Sequence, residues 1–200
     1  RDLFGKVREN MDALLDAGIP FKLNAVAMRG FNDDELPAFI DYAMRHPIDV
    51  RFIEFMPMGE GTRWSDSCFW SAPDILDAVK GLVAVAPVEQ EQRNGGPARL
   101  YTLSGPDGPG LGRLGLISPL SSHFCTSCNR LRITSDGALR TCLFDDREYR
   151  LRNALRHPKL GIEAVRRIVT LATRDKPIGA RLLERRHNAV AQRRMTAIGG

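Results

Sequence analysis

The chain has 200 residues, 43% of them hydrophobic and 26% charged, with a net charge of +5. That is enough to bury one good core or two small ones, and it excludes collagen-like repetition and a disordered polar chain. No apolar run approaches the length that spans a bilayer, and Arg1 to Glu9 mix both charge signs where a secretory signal is basic and then apolar, so neither a membrane-spanning nor an exported protein is indicated.

Leu3, Val7, Met11, Leu14 and Leu15 recur at helical spacing, and Gly18 follows as a C-terminal cap, which predicts an amphipathic helix. Residues 20–28 form a largely apolar strand pattern. Asn32-Asp33-Asp34 then start a helix over Leu36 to Met44, and a second strand runs from Val50 to Met56. Strand, helix and strand at this pitch make a βαβ unit with a parallel sheet covered on both faces. Ser71-Ala72-Pro73 opens a helix through Lys80. After Gly81 the texture changes to short strands at Val83 to Val88, Arg99 to Leu103 and Leu114 to Ser118, separated by loops rich in glycine and proline. Helical patterns follow from Glu148 to His157 and from Ile162 to Thr173. A chain that starts inside a helix, with two parallel strands before a different second region, cannot close a parallel sheet by itself and reads as a fragment.

Three of the four cysteines fall within eighteen positions, which in a chain without export signals points to metal rather than disulfides and to a reducing compartment. Cys125-Thr126-Ser127-Cys128 places two thiolates on one turn, and Cys142, thirteen intervening residues on, closes a loop on them. Three thiolates suit a cubane iron–sulfur cluster, whose fourth iron keeps an open position. A zinc site wants four ligands and would recruit His123 or Cys68. Spacing alone leaves both open.

On a strand leaving the metal loop, Arg130 and Arg132 would project from one face and make an anion or purine site. Lys22 and Arg51, polar residues on otherwise apolar strands, are candidates for lining a site, with Glu54 as an ion-pair partner. The C-terminal arginines, from Arg166 to Arg194, add the charge an anionic partner would meet, whether nucleic acid, nucleotide or phosphate.

Arg51-Phe52-Ile53-Glu54-Phe55-Met56-Pro57, Cys125-x-x-Cys128-Asn129-Arg130-x-Arg132-x-Thr134, Asp136-Gly137, Cys142-Leu143-Phe144 and Gly199-Gly200, in this order, resemble the GTP 3′,8-cyclase (molybdenum cofactor biosynthesis protein A) family of radical-SAM enzymes. The resemblance runs nearly end to end and favours the cluster over zinc. It implies an α/β fold in which residues 1–81 are the last strands and helices of an incomplete TIM-type radical-SAM barrel, and residues 82–200 a smaller α+β region that binds the cluster and GTP. By the same resemblance Cys125, Cys128 and Cys142 hold a 4Fe-4S cluster whose open iron receives the guanine of GTP. Arg130, Leu131 and Arg132 border the nucleotide, Lys22 and Arg51 face its phosphates, Gly199 and Gly200 reach into the active site, and Met56 touches S-adenosyl-L-methionine. No residue is assigned a catalytic role.

The implied reaction converts GTP to 3′,8-cyclo-7,8-dihydro-GTP by SAM-derived radical chemistry, for which the full-length enzyme carries SAM and a second 4Fe-4S cluster on a Cys-x-x-x-Cys-x-x-Cys loop. These 200 residues contain no such loop, so by themselves they are expected to be inactive. The implied partners are GTP and, downstream, cyclic pyranopterin monophosphate synthase, in the cytoplasm, with no nucleic acid and no membrane. A homodimer stays open. Two departures stand out: Gln192 occupies a place where proline is common, and no histidine follows Lys176-Pro177. The rival is a basic zinc-binding, nucleic-acid-binding module built on the same cysteines with His123. It explains the charge but not the βαβ start, and aromatic residues for base stacking are sparse.

Overall fold

A computed structural model of the chain describes residues 3–59, 61–89, 96–185 and 197–198, apart from the side chains of Ser127, Glu184 and Arg185. The chain divides into two compact units, Arg1–Phe55 with Asp66–Ser122, and Met56–Ser65 with His123–Gly200.

In the first unit, α1 (Phe4–Asp16) ends where Gly18 takes φ 65° and the N–H groups of Gly18 and Ile19 donate to Leu15 O at 3.0 Å and Leu14 O at 2.9 Å. A positive φ at that place is what glycine permits at little cost. β1 (Lys22–Ala27), α2 (Leu36–Arg45) and β2 (Asp49–Glu54) form the expected βαβ unit. Asn32 and Asp33 do not cap α2. Their carboxamide and carboxylate accept from Met28 N at 2.9 Å and Gly30 N at 2.8 Å, folding the turn after β1. Helix α3 (Ala72–Lys80) begins as its sequence predicts, with Ser71 Oγ accepting from Asp74 N at 3.3 Å.

Three further strands, β3 (Ala84–Pro87), β4 (Arg99–Gly105) and β5 (Gly108–Ile117), join the same sheet in the order β1-β2-β5-β4-β3. β1, β2 and β5 are parallel, and β5, β4 and β3 pair antiparallel. The mode of pairing changes at β5, which is parallel to β2 on one side and antiparallel to β4 on the other. Among the described residues that sheet is open and mixed, with β1 and β3 at its edges, where the sequence reading expected the last, parallel strands of an incomplete TIM-type barrel followed by a separate α+β region. The physical reason is β5: it is delivered by a tight hairpin from β4, yet its second half runs beside β2, so it serves both halves of the sheet.

One face of the sheet is the core. Val50, Phe52, Leu114 and Leu116 pack there with Ile40, Ala43, Ile75 and Val79 of α2 and α3, all nearly or wholly buried, and Phe39 meets Phe52 edge to face at 5.5 Å. The other face carries a charged row across β1, β2 and β5 and a smaller apolar cluster of Val88, Ala98 and Leu100 with Ile117. Register sets Lys22 of β1 beside Asp49 of β2 and Arg113 of β5, and Asn24 beside Arg51 and Gly115. Because alternate residues share a face, Lys22, Asp49, Arg51 and Arg113 all stand on one side. Gly115 makes room for this arrangement, since a Cβ there would lie 2.7 Å from Arg51 Cγ.

In the second unit a single 3-10 turn, Cys125–Ser127, leads into the two-stranded hairpin β6 (Arg132–Ile133) and β7 (Leu139–Arg140). Helices α4 (Leu151–Arg156), α5 (Gly161–Arg174) and α6 (Gly179–Arg185) follow, with α4 packed on α5. Among the described residues no helix is long and apolar enough to cross a membrane.

Candidate metal and nucleotide site

The cysteine loop is built by short-range bonds. Cys128 N donates to Cys125 O at 3.3 Å, closing the turn, and Phe124 just before it places its ring 5.0 Å beneath the Arg130 guanidinium. Strand β6 starts only at Arg132, so Arg130 does not share a strand face with it as the sequence reading expected. Arg130 is held by a ring instead. The hairpin then turns at Ser135-Asp136-Gly137, where Thr134 N donates to Ala138 O at 2.8 Å and Gly137 takes φ 80°.

The return strand delivers Cys142, and a buried arginine shapes the loop around it. Arg140 is wholly buried, donates to Leu143 O at 3.5 Å and to Asp145 O, and lies 3.4 Å from Asp146 and 3.6 Å from Glu148. A buried guanidinium with several oxygen partners acts as a fixed post around which a loop folds.

The result is one neighbourhood of thiols and cations. Burial, first, and then the charge of Arg130 depress Arg132 below the usual guanidinium range, while Cys128 and Cys142 push it back up. Burial pushes the Cys142 thiol up, and the nearby Cys125 and Asp145 add to that, against the backbone N–H of Phe144 and the Lys176 charge. Burial also acts to raise Cys128, but hydrogen bonds from the backbone of Arg130 and from Lys176, with the charges of Lys176 and Arg130, leave it lower than an ordinary thiol. None of the four cysteines is in a disulfide.

Among the described residues no three histidine, cysteine, aspartate or glutamate side chains are gathered closely enough to hold a metal ion as they stand. What the residues do fit is a soft donor set: three half-buried thiols from two adjoining loops, with cations positioned to offset the charge of thiolates. Cys68, an alternative ligand in the zinc reading, belongs to the first unit, where its carbonyl accepts from Arg29 N at 3.0 Å.

The family description Molybdenum Cofactor Synthesis C matches residues 48–182. The chain belongs to that family. It is 43% identical over 197 residues to the GTP 3′,8-cyclase of Alkaliphilus oremlandii, covering 98% of this chain and 57% of that protein. It is 39% identical over 196 residues to the GTP 3′,8-cyclase of Alkaliphilus metalliredigens, with the same two shares. The GTP 3′,8-cyclase of Streptomyces coelicolor is 37% identical over 201 residues, covering 100% of this chain and 57% of that protein. The chain thus spans a little over half the length of the curated relatives it matches, and it is homologous to their C-terminal part.

The Molybdenum Cofactor Synthesis C match takes in Arg51, Met56, the three clustered cysteines and Arg130 to Arg132, whereas Lys22 precedes it. Lys22 is exposed on β1, and Arg51 is buried on β2 with its Nη2 2.8 Å from Asp49 Oδ2. Arg113 Nε lies 2.8 Å from the other oxygen, Asp49 Oδ1, so one carboxylate orients two guanidiniums. Glu54 takes up other groups: its carboxylate accepts from Ala72 N at 2.9 Å, Leu120 N at 2.8 Å, Ser121 N at 3.0 Å and the Ser121 hydroxyl.

Leu131 is 40% exposed beside Arg132, and Met56 is half-buried in the second unit. Gly199 and Gly200 lie outside the described residues. Reading the sequence missed Asp49, Phe124, Lys176 and Gly179. The one available signal was Lys176-Pro177 just after the second helical pattern, where proline disfavours a helical backbone at the preceding lysine.

Proposed function

We propose that the chain is the cluster- and GTP-binding part of a GTP 3′,8-cyclase of molybdenum cofactor synthesis. Cys125, Cys128 and Cys142 hold a 4Fe-4S cluster that, when bound, supplies one iron with an open position for the base of GTP. The observation that carries this reading is the spacing of Cys125, Cys128 and Cys142 with Arg130 and Arg132 beside them, inside the matched region, with Lys176 Nζ 3.3 Å from Cys128 Sγ.

The chain's own residues bind and orient. Arg130, Leu131 and Arg132 border the nucleotide, with the Arg130 guanidinium steadied by Phe124. Lys22 and Arg51 are the phosphate-directed cations, and the sheet face that carries them also carries Arg113. Asp49 fixes the direction of Arg51, which lowers the entropy lost when an anion is bound. Met56 is assigned to SAM, and Gly199 and Gly200 to the active-site tail. Residues 1–81 are assigned to the end of the radical-SAM barrel and 82–200 to the cluster- and GTP-binding region, in a cytoplasmic protein whose product passes to cyclic pyranopterin monophosphate synthase.

The test is anaerobic reconstitution with iron and sulfide, followed by metal and sulfide analysis of the wild type and of Cys128→Ala. About four irons per chain, as a cubane requires, lost in the variant and spectroscopically perturbed by GTP, is the expected result. One zinc per chain without sulfide would overturn the reading in favour of a nucleic-acid module.

A further inference from the structure

Lys176 stands in the short link between α5 and α6, half-buried, with its ammonium within reach of three acceptors on the cysteine loop. Its Nζ lies 2.8 Å from Cys128 O, 2.8 Å from Arg130 O and 3.3 Å from Cys128 Sγ. Among the described residues it pairs with no carboxylate. Withdrawing an ammonium from water toward two neutral carbonyls and a neutral thiol is unfavourable; against a thiolate the same position is favourable. The geometry therefore suits a negatively charged sulfur.

Two neighbours fix the link. Pro177 disfavours a helical backbone at Lys176. Gly179, the first residue of α6, lies against the other cysteine, since a Cβ there would be 2.7 Å from Cys142 Sγ and 2.9 Å from Phe144 Cδ2. Four residues of chain thus touch both cysteine loops, Lys176 on Cys128 and Gly179 on Cys142. Groups that bond to ligand atoms from behind hold them in place and tune the bound centre.

We propose that Lys176 is the positioning residue of the cluster site. Its ammonium ties Cys128 O to Arg130 O, presetting the turn that presents the Cys128 sulfur and the arginines beside it. In the loaded protein it donates an N–H···S hydrogen bond to the Cys128 thiolate, and the added positive charge makes the cluster easier to reduce. This rests on the assignment of Cys125, Cys128 and Cys142 as cluster ligands.

The experiment compares wild type, Lys176→Met, which keeps the aliphatic stem, and Lys176→Arg, which keeps the charge. Each 200-residue chain is reconstituted anaerobically, and three quantities are read: iron and sulfide per chain, the rate of iron loss to a chelator, and the midpoint potential from a redox titration followed by electron paramagnetic resonance. Lys176→Met is expected to lose iron about 10–100-fold faster and to show a more negative midpoint, with Lys176→Arg returning both toward wild type. Without cluster, Lys176→Met is expected to exchange the amide hydrogens of residues 128–130 faster than wild type, which keeps the presetting role testable if the variant loads poorly.

A wild-type potential and iron-loss rate in Lys176→Met, or an Arg variant no better than Met, would overturn the proposal while leaving the cluster assignment standing. Failure of the wild type itself to take up a cluster would remove the assignment first and the proposal with it.

Discussion

Gly179 shows how one missing side chain governs a reactive group. A methyl group there would press on Cys142 Sγ at 2.7 Å and on the Phe144 ring. A thiol can escape by changing rotamer, whereas the ring can yield only by moving the 142–144 segment. Gly179→Ala is therefore expected to leave the melting temperature of the cluster-free chain within a few degrees of wild type while reducing iron per chain on reconstitution; equal loading would show that Cys142 retains its ligand geometry. At this scale the sequence was legible for chemistry that comes in motifs. The spacing of Cys125, Cys128 and Cys142 marks a candidate metal site, and Arg130 and Arg132 mark candidate cations beside it. Lys176 was invisible as a partner because its effect depends on a link forty-eight residues from Cys128, and no local pattern encodes which carbonyls a lysine will find. Asp49 was equally silent, since only the β2–β5 register sets Arg113 against it.

Among the elements, β5 carries the most demanding fit. A Cβ on Gly112 would lie 2.2 Å from Ile48 O, 2.5 Å from His46 O and 2.7 Å from Ala43 O, all backbone atoms of the last turn of α2 and the connection to β2. Backbone cannot rotate aside as a side chain does, and Arg113 N donates to Ile48 O at 2.9 Å immediately next to this contact. Gly112→Ala is expected to cost roughly 3 kcal/mol, a fall of roughly 6–12 °C in melting temperature for a chain of this size. Gly105→Ala is the control, because its Cβ would meet only the flexible end of Met44 at 3.2 Å. An equal loss in both variants, measured by thermal unfolding, would mean that the close approach at Gly112 is relieved elsewhere. The helices and strands themselves were readable from apolar period and caps: α1 with Gly18, α3 with Ser71, and the βαβ start all occur near where the sequence places them. The joining of all five strands into one mixed sheet was not, because pairing of β5 with β2 is a long-range choice that period-two alternation leaves undetermined. The Arg130–Arg132 strand was overextended for a related reason, since the Phe124 ring and the bonds to Lys176 hold residues 128–130 out of the ladder.

For the molecule as a whole, the comparisons and the cysteine spacing agree on a family whose curated members are close to twice as long. With no Cys-x-x-x-Cys-x-x-Cys loop in these residues, the 200-residue chain supplied with GTP, SAM and a reductant is expected to give no cyclised product. Product detected by chromatography would overturn that expectation. Glu54 carries a different consequence, for how the first unit comes together. Its wholly buried carboxylate draws donors from the start of α3 and from Leu120 and Ser121, just past β5. Until that late stretch of chain arrives, covering β2 leaves buried carboxylate oxygens short of hydrogen-bond donors, which is unfavourable. Glu54 thereby ties the early βαβ segment to residues sixty-six positions later, so that residues 1–81 expressed by themselves are expected to lack donors that β2 needs at its C-terminal end.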